Sequence, residues 1–239
     1  MKSCGSSGAQ LAEHWVTRLA ALGLSLVALT LPGSSGAITL GQTDNFQDGS
    51  TDNWNPFGTA SNISSGGPAG AGDRYLQVVS GTFGGNSRLI TYNQTQWTGD
   101  YLSTGVFGVS MSLRNFGTTT LPIRIAIREG TGGSATPGYS STTPFNLAAD
   151  GQWHTVTFSL TAGAMTPVNS PQPFATDLAN VADFRILSSA SPALIGDAVS
   201  GRIGIDNITA VSAVPEPGSF ALLGFGIAAI AILGQRKVR

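Results

Sequence analysis

Leu121, Ile123, Ile125 and Ile127 alternate with Pro122, Arg124, Ala126 and Arg128. That period of two places the four large apolar side chains on one face of an extended chain, so the segment predicts a half-buried strand. Phe107, Val109, Met111 and Leu113 alternate in the same way with Val106, Gly108, Ser110 and Ser112. The short polar stretch from Asn115 to Thr119 between the two runs predicts an antiparallel hairpin. Val156, Phe158 and Leu160 form a third run after the turn Asp150-Gly151, and Tyr75 to Val79, Arg88 to Tyr92, Phe184 to Leu187 and Arg202 to Ile208 add shorter ones. No amphipathic helical period intervenes. Seven or more short strands without helices between them require two packed antiparallel sheets, and the expected fold class is an all-β sandwich, of jelly-roll type.

Composition agrees with that reading. Residues 38 to 213 lack lysine and are rich in Gly, Ser, Thr and Asn, which suits strands and turns and disfavours helices. The stretches Asn53 to Gly72, Gly130 to Pro144 and Thr161 to Pro173 read as rim loops. Seven arginines face eleven acidic residues in this region, so a basic nucleic-acid surface is excluded. The single cysteine, Cys4, lies near the N-terminus, which rules out an internal disulfide.

Both ends carry targeting signals. An apolar run from Leu19 to Leu31 follows Arg18 and precedes Ser35-Gly36-Ala37, the pattern of a signal peptide cleaved after Ala37, with a start at Val16 as one reading of the long leader. At the other end, Val214, Pro215, Glu216 and Pro217 precede an apolar segment from Phe220 to Leu233 and a basic tip of Arg236, Lys237 and Arg239. The two prolines fix φ and remove backbone donors, so the box stays extended and accessible to an enzyme. Counted from Gly218 to Gly234 the segment has 17 residues, at the low end of the roughly 17–25 that one membrane helix needs, with its cations on the cytoplasmic side. The order of box, span and basic tip resembles the PEP-CTERM sorting signal. The resemblance implies export in a Gram-negative bacterium, passage through the inner membrane, processing by signal peptidase and an exosortase, and delivery to the cell surface or matrix. The expected organisation is therefore signal peptide 1–37, sandwich domain 38–213 and sorting signal 214–239.

The middle domain also resembles carbohydrate-binding-module and lectin-like sandwiches. The similarity rests on Asn45-Phe46-Gln47-Asp48-Gly49 with Trp54, on Asp150-Gly151-Gln152-Trp153-His154, and on Ile205-Asp206-Asn207-Ile208. In such modules an early acidic loop and an aspartate on the last strand often share a structural Ca²⁺. The resemblance thus implies Asp44, Asp48 and Asp206 as calcium ligands, whose oxygens suit a hard cation. Ile203 and Ile205 set one phase and Ile208 breaks it, which predicts a bulge at Asp206-Asn207.

Catalysis finds little support in the sequence. Glu129 is the one glutamate of the domain, no acidic pair lies along a strand face, no Gly-x-Ser-x-Gly elbow occurs, and His154 is the one histidine. The expectation is a protein that is not an enzyme. Binding is the remaining chemistry. Trp54, Phe57 and Trp97 stand in polar surroundings where indole and phenyl faces could stack on sugar rings. Arg124 and Arg128 share the non-core face of their strand about 13 Å apart, beside Gly108, Ser110 and Ser112, and would form a cationic trough for an acidic exopolysaccharide. The alternatives are a purely structural or adhesive sandwich and, behind it, a surface glycoside hydrolase.

Overall fold

The computed structural model describes residues 37–82, 84, 87–131 and 135–212. The expected signal peptide except for its last residue, Ala37, the sorting motif with its apolar span, and the basic tip lie outside these residues. Among the described residues no helix is long and apolar enough to cross a membrane.

Among the described residues thirteen strands and two short helices follow one another: β1 (Thr43–Asp44), β2 (Asn55–Pro56), β3 (Thr59–Ile63), β4 (Tyr75–Val79), β5 (Ile90–Asn93), α1 (Tyr101–Thr104), β6 (Gly108–Asn115), β7 (Leu121–Arg128), β8 (Gly138–Ser141), β9 (Phe145–Leu147), β10 (Trp153–Ser159), β11 (Met165–Val168), α2 (Phe174–Leu178), β12 (Asp183–Ser188) and β13 (Arg202–Val211). They form two antiparallel sheets. The first runs β10-β6-β13-β4-β3, with β1 on β13, and the second runs β11-β8-β7-β12-β5-β2, with β9 on β7. The all-β sandwich expected from the alternation is the fold observed.

Between the sheets lie the in-phase residues of both. Val109, Met111, Leu113, Ile203 and Ile205 of the first sheet meet Ile123, Ile125, Ile127, Phe184 and Ile186 of the second, all buried. Each such side chain contributes about 1.5–3 kcal/mol on leaving water. Strand β13 holds its phase to Ile205, then its pairing with β6 shifts between Asp206 and Thr209, and Asn207 adopts φ 52°. The bulge expected at this point is present, and it returns Ile208 to the core.

Two expectations about connectivity fail. The runs at 107–113 and 121–127 do not pair: β6 lies between β10 and β13, whereas β7 lies in the other sheet beside β8, β9 and β12. Residues 116–120 cross from one sheet to the other, because each run has its own apolar face to bury and the sandwich satisfies both by facing them across the core. The three stretches read as loops each contain strand: β2 and β3 in the first, β8 in the second and β11 in the third. β2, β3 and β11 are edge strands, whereas β8 lies between β11 and β7 and is buried throughout. Helix α1 is likewise a short connection, started by the Asp100 side chain accepting from Ser103 N–H and ended by Gly105 at φ 74°.

Candidate functional site

The residues predicted to hold a ligand are mostly internal. Trp54 and Trp97 are 1% and 0% exposed and pack with Phe184 at one end of the core, so neither offers a face to a sugar. Both indole N–H groups donate to the same atom, Asp44 Oδ2, at 2.8 and 2.7 Å, and Gln96 Nε2 donates to it at 3.1 Å. Asp44 is therefore a buried acceptor that joins three distant side chains. Burial raises its carboxyl above the usual range, against the lowering effect of the two indole bonds. Phe57 packs edge-on to Tyr92 and over a small apolar cluster outside the second sheet.

Arg124 and Arg128 occupy the non-core face of β7, as the period predicts, but that face is covered. Arg124 is 2% exposed and donates only to carbonyl oxygens, those of Ser189, Ala190, Ser141 and Thr142. Arg128 is 1% exposed and lies 3.4 Å from Asp183, which also receives Arg185 Nη2 at 2.7 Å and Gln94 Nε2 at 3.1 Å. The segment that follows β12 lies over this face, with Leu194 buried against Ile90, Ala126 and Leu187 and its carbonyl held by Arg185 at 2.7 Å. The cationic trough does not exist. Arg124 and Arg185 fasten the segment after β12 to the sheet, and Arg128 pairs with Asp183 of the neighbouring strand.

The expected calcium ligands do not assemble either. Asp48 is exposed and accepts from Ser50 N–H at 2.8 Å within its own turn, Asp44 is engaged by the indoles, and Asp206 is buried beside Asn207, whose N–H it accepts at 2.7 Å. Among the described residues no group of three His, Cys, Asp or Glu side chains is placed to hold a metal ion. Asp44, Asp48 and Asp206 thus do not fit a shared calcium.

Folding also brings Glu129, after β7, near enough to Asp177 in α2 to raise its carboxyl, a proximity that no strand pattern announces. Burial, and then Glu129, push Asp177 up to about 6, while the Ser170 hydroxyl works the other way. Asp206 is raised to about 7 by burial, with Asp73 adding to it and the Asn207 N–H opposing.

These two raised carboxyls predict the pH response of stability. Between the unfolded value near 4 and the folded values of about 6 and 7, the native state binds more protons than the unfolded one, so stability falls as pH rises through that window. The lowered groups Asp48, Asp100 and Asp150 act only below about 4, with the opposite sign. The melting temperature is expected to be several degrees higher at pH 5 than at pH 8, and Asp206→Asn should flatten most of that slope. A melting temperature that rises from pH 5 to pH 8 would contradict the assignment.

The outer face of the first sheet is different. Trp153 on β10 stands opposite Arg114 on β6, which stands opposite Gly204 on β13. Gly204 carries no side chain, and a Cβ there would come within 2.7 Å of the Trp153 ring and 3.2 Å of Phe116 and Tyr75. The glycine therefore makes the floor on which three aromatic rings gather. Trp153 meets Tyr75 edge-on at 5.3 Å, and Tyr75 stacks with Phe116 at 6.0 Å. The guanidiniums of Arg114 and Arg202 lie 4.8 and 5.2 Å from the Phe116 ring centre. Trp153 Nε1 donates to Gly66 O at 3.0 Å, which fixes the indole plane. Tyr75 is buried, Trp153, Phe116 and Arg114 are half-buried, and Arg202 is exposed. Beyond them the same face carries the exposed Thr155 and Thr157.

None of these five residues was singled out from the sequence as a binding residue. The signal was available for one: Trp153 is out of phase with Val156 and Phe158, so a large aromatic had to lie on the non-core face. Phe116, Tyr75 and Arg202 join it only through the pairing of β4, β6, β10 and β13.

Comparison with known proteins bears on both ends of this picture. Residues 213–237 match the PEP-CTERM protein-sorting motif, which implies an exported, membrane-anchored precursor that an exosortase processes and that is sorted to the surface. No curated protein matches the sequence. Among solved structures, the family 11 carbohydrate-binding module from Clostridium thermocellum is similar with a TM-score of 0.51 at 15% identity, over 74% of this chain and 98% of that one. An exo-beta-agarase is similar with the same TM-score of 0.51 at 11% identity, over 73% of this chain but 26% of its own. The chain thus carries a PEP-CTERM sorting motif near its C-terminus, preceded by an antiparallel β-sandwich that resembles the carbohydrate-binding modules in fold.

Proposed function

We propose that this is a surface protein whose sandwich binds an acidic exopolysaccharide across the outer face of the first sheet, with no catalytic step. The observation that carries the reading is the patch of Trp153, Phe116 and Tyr75 over Gly204, flanked by Arg114 and Arg202. An indole held in one plane offers a flat apolar surface to the C–H face of a sugar, and guanidiniums match carboxylates in a bidentate fashion. The same-fold module from C. thermocellum is described in complex with a β-1,3-1,4-mixed-linked tetrasaccharide, which makes a linear glycan a reasonable class of guest for a sheet face.

Retention on a polyuronate and on mixed-linked β-glucan tests this. Trp153→Ala is expected to weaken binding about 30-fold, the effect of losing a central aromatic anchor worth about 2 kcal/mol. Arg202→Gln should weaken polyuronate binding alone and reduce its salt dependence, since an exposed charge acts through a screened field. Unchanged retention of folded Trp153→Ala would remove the patch from consideration.

The sorting reading has its own test. Replacing Pro215, Glu216 and Pro217 with alanine allows a helix to extend back from the apolar span and abolishes the extended substrate. Full-length precursor should then accumulate in the membrane. A variant that reaches the surface with the wild-type mature mass would overturn the exosortase assignment.

A further inference from the structure

A second concavity opens at the edge of the sandwich, away from the aromatic patch. It has a volume of about 310 Å³ and lies between the edge strand β10 and the segment joining β8 to β9. Phe145, Val156 and Phe158 line it with apolar residues, and Thr142, Thr157 and Ser159 are among the hydroxyl-bearing residues around it. No lining residue is charged.

The walls are held in place before any ligand arrives. Thr142 N–H donates to Ala164 O at 2.8 Å, Ala164 N–H donates to Thr161 O at 3.0 Å, and Arg124 Nη1 donates to Thr142 O at 2.9 Å. Arg124 thereby ties the pocket wall to the centre of the second sheet. A pre-formed site loses less ordering entropy on binding.

We infer that this pocket is a separate binding site for one neutral sugar ring. The volume is at the low end of the roughly 300–1,000 Å³ of small-molecule sites, which suits a terminal or single residue rather than a polymer run. Apolar side chains below and hydroxyls around match the two surfaces of a pyranose, and the absence of charge selects against uronates. The inference does not depend on the aromatic patch. If both sites act, one molecule could engage two glycan chains, and avidity would exceed either single affinity.

Amide chemical shifts of the full chain in detergent, titrated with the neutral methyl glycosides of glucose, galactose, mannose and xylose, test it. Shifts are expected at Thr142, Phe145, Thr157 and Ala164, saturating at millimolar glycoside. Ala164→Phe fills the pocket and should abolish them, whereas Trp153→Ala should leave them unchanged. Should Ala164→Phe not fold, Thr157→Val with Ser159→Ala removes two hydroxyls and should weaken the same response several-fold. No response at these amides to any of the four glycosides, or an equal response when the pocket is filled, would refute the site. Loss of polyuronate binding in Trp153→Ala with an intact pocket response separates the two proposals.

Discussion

Arg124→Ala is expected to lower stability by about 3–5 kcal/mol, because it leaves two buried carbonyls without this donor at roughly 1–3 kcal/mol each and frees two more nearer the surface, less what relaxation recovers. The carbonyls are those of Ser189, Ala190, Ser141 and Thr142, which come from two separate segments. Against a total stability of about 5–15 kcal/mol this is a large fraction, and the melting temperature should drop by roughly 10 °C or more. Arg124→Lys keeps the charge but cannot spread its donors over both segments, so it should fall between wild type and alanine. Calorimetric melts of the three proteins decide the matter. If Arg124→Ala melts within about 2 °C of wild type, the side chain is not the fastener described.

Asp44→Ala should cost a comparable amount, about 3 kcal/mol or more, since it leaves the N–H groups of two buried indoles without an acceptor. Asp44→Asn keeps one carbonyl oxygen and should lose much less, the more so because burial already disfavours the charge of Asp44. The rings of Trp54 and Trp97 lie 6.0 Å apart, so their coupling gives a near-ultraviolet circular dichroism signal that can be followed directly. That signal should collapse in Asp44→Ala and persist in Asp44→Asn. Equal stability of Asp44→Ala and wild type, or a wild-type calcium dependence that Asp44→Ala abolishes, would return Asp44 to the role of metal ligand.

The period of two puts Arg124 and Arg128 on the face opposite Ile123, Ile125 and Ile127, but a polar phase does not make an open face. Residues more than sixty positions away, Ser189 to Leu194, close that face. The sequence assigns Asp44 to a calcium site and Trp54 and Trp97 to sugar stacking, because nothing in their local pattern records that a carboxylate meets indoles 10 and 53 residues along the chain. The binding patch was partly visible. Trp153 had the phase of an outward aromatic, but its partners at positions 75, 116, 114 and 202 depend on strand order, which the hairpin reading had wrong.

What the sequence determined by itself is what short-range physics governs. Alternation of side chains along an extended backbone set the strand phases and the two-sheet class, the broken phase at Asp206 located the bulge, and the prolines, apolar span and basic tip marked the sorting motif. The tertiary structure alone decided which non-core face remains open. One sheet face is covered by a loop pinned through arginine to carbonyl bonds, and the other is bare enough for Gly204 to seat an aromatic patch. That difference comes from contacts between segments far apart in the chain, whose free energy has no local signature.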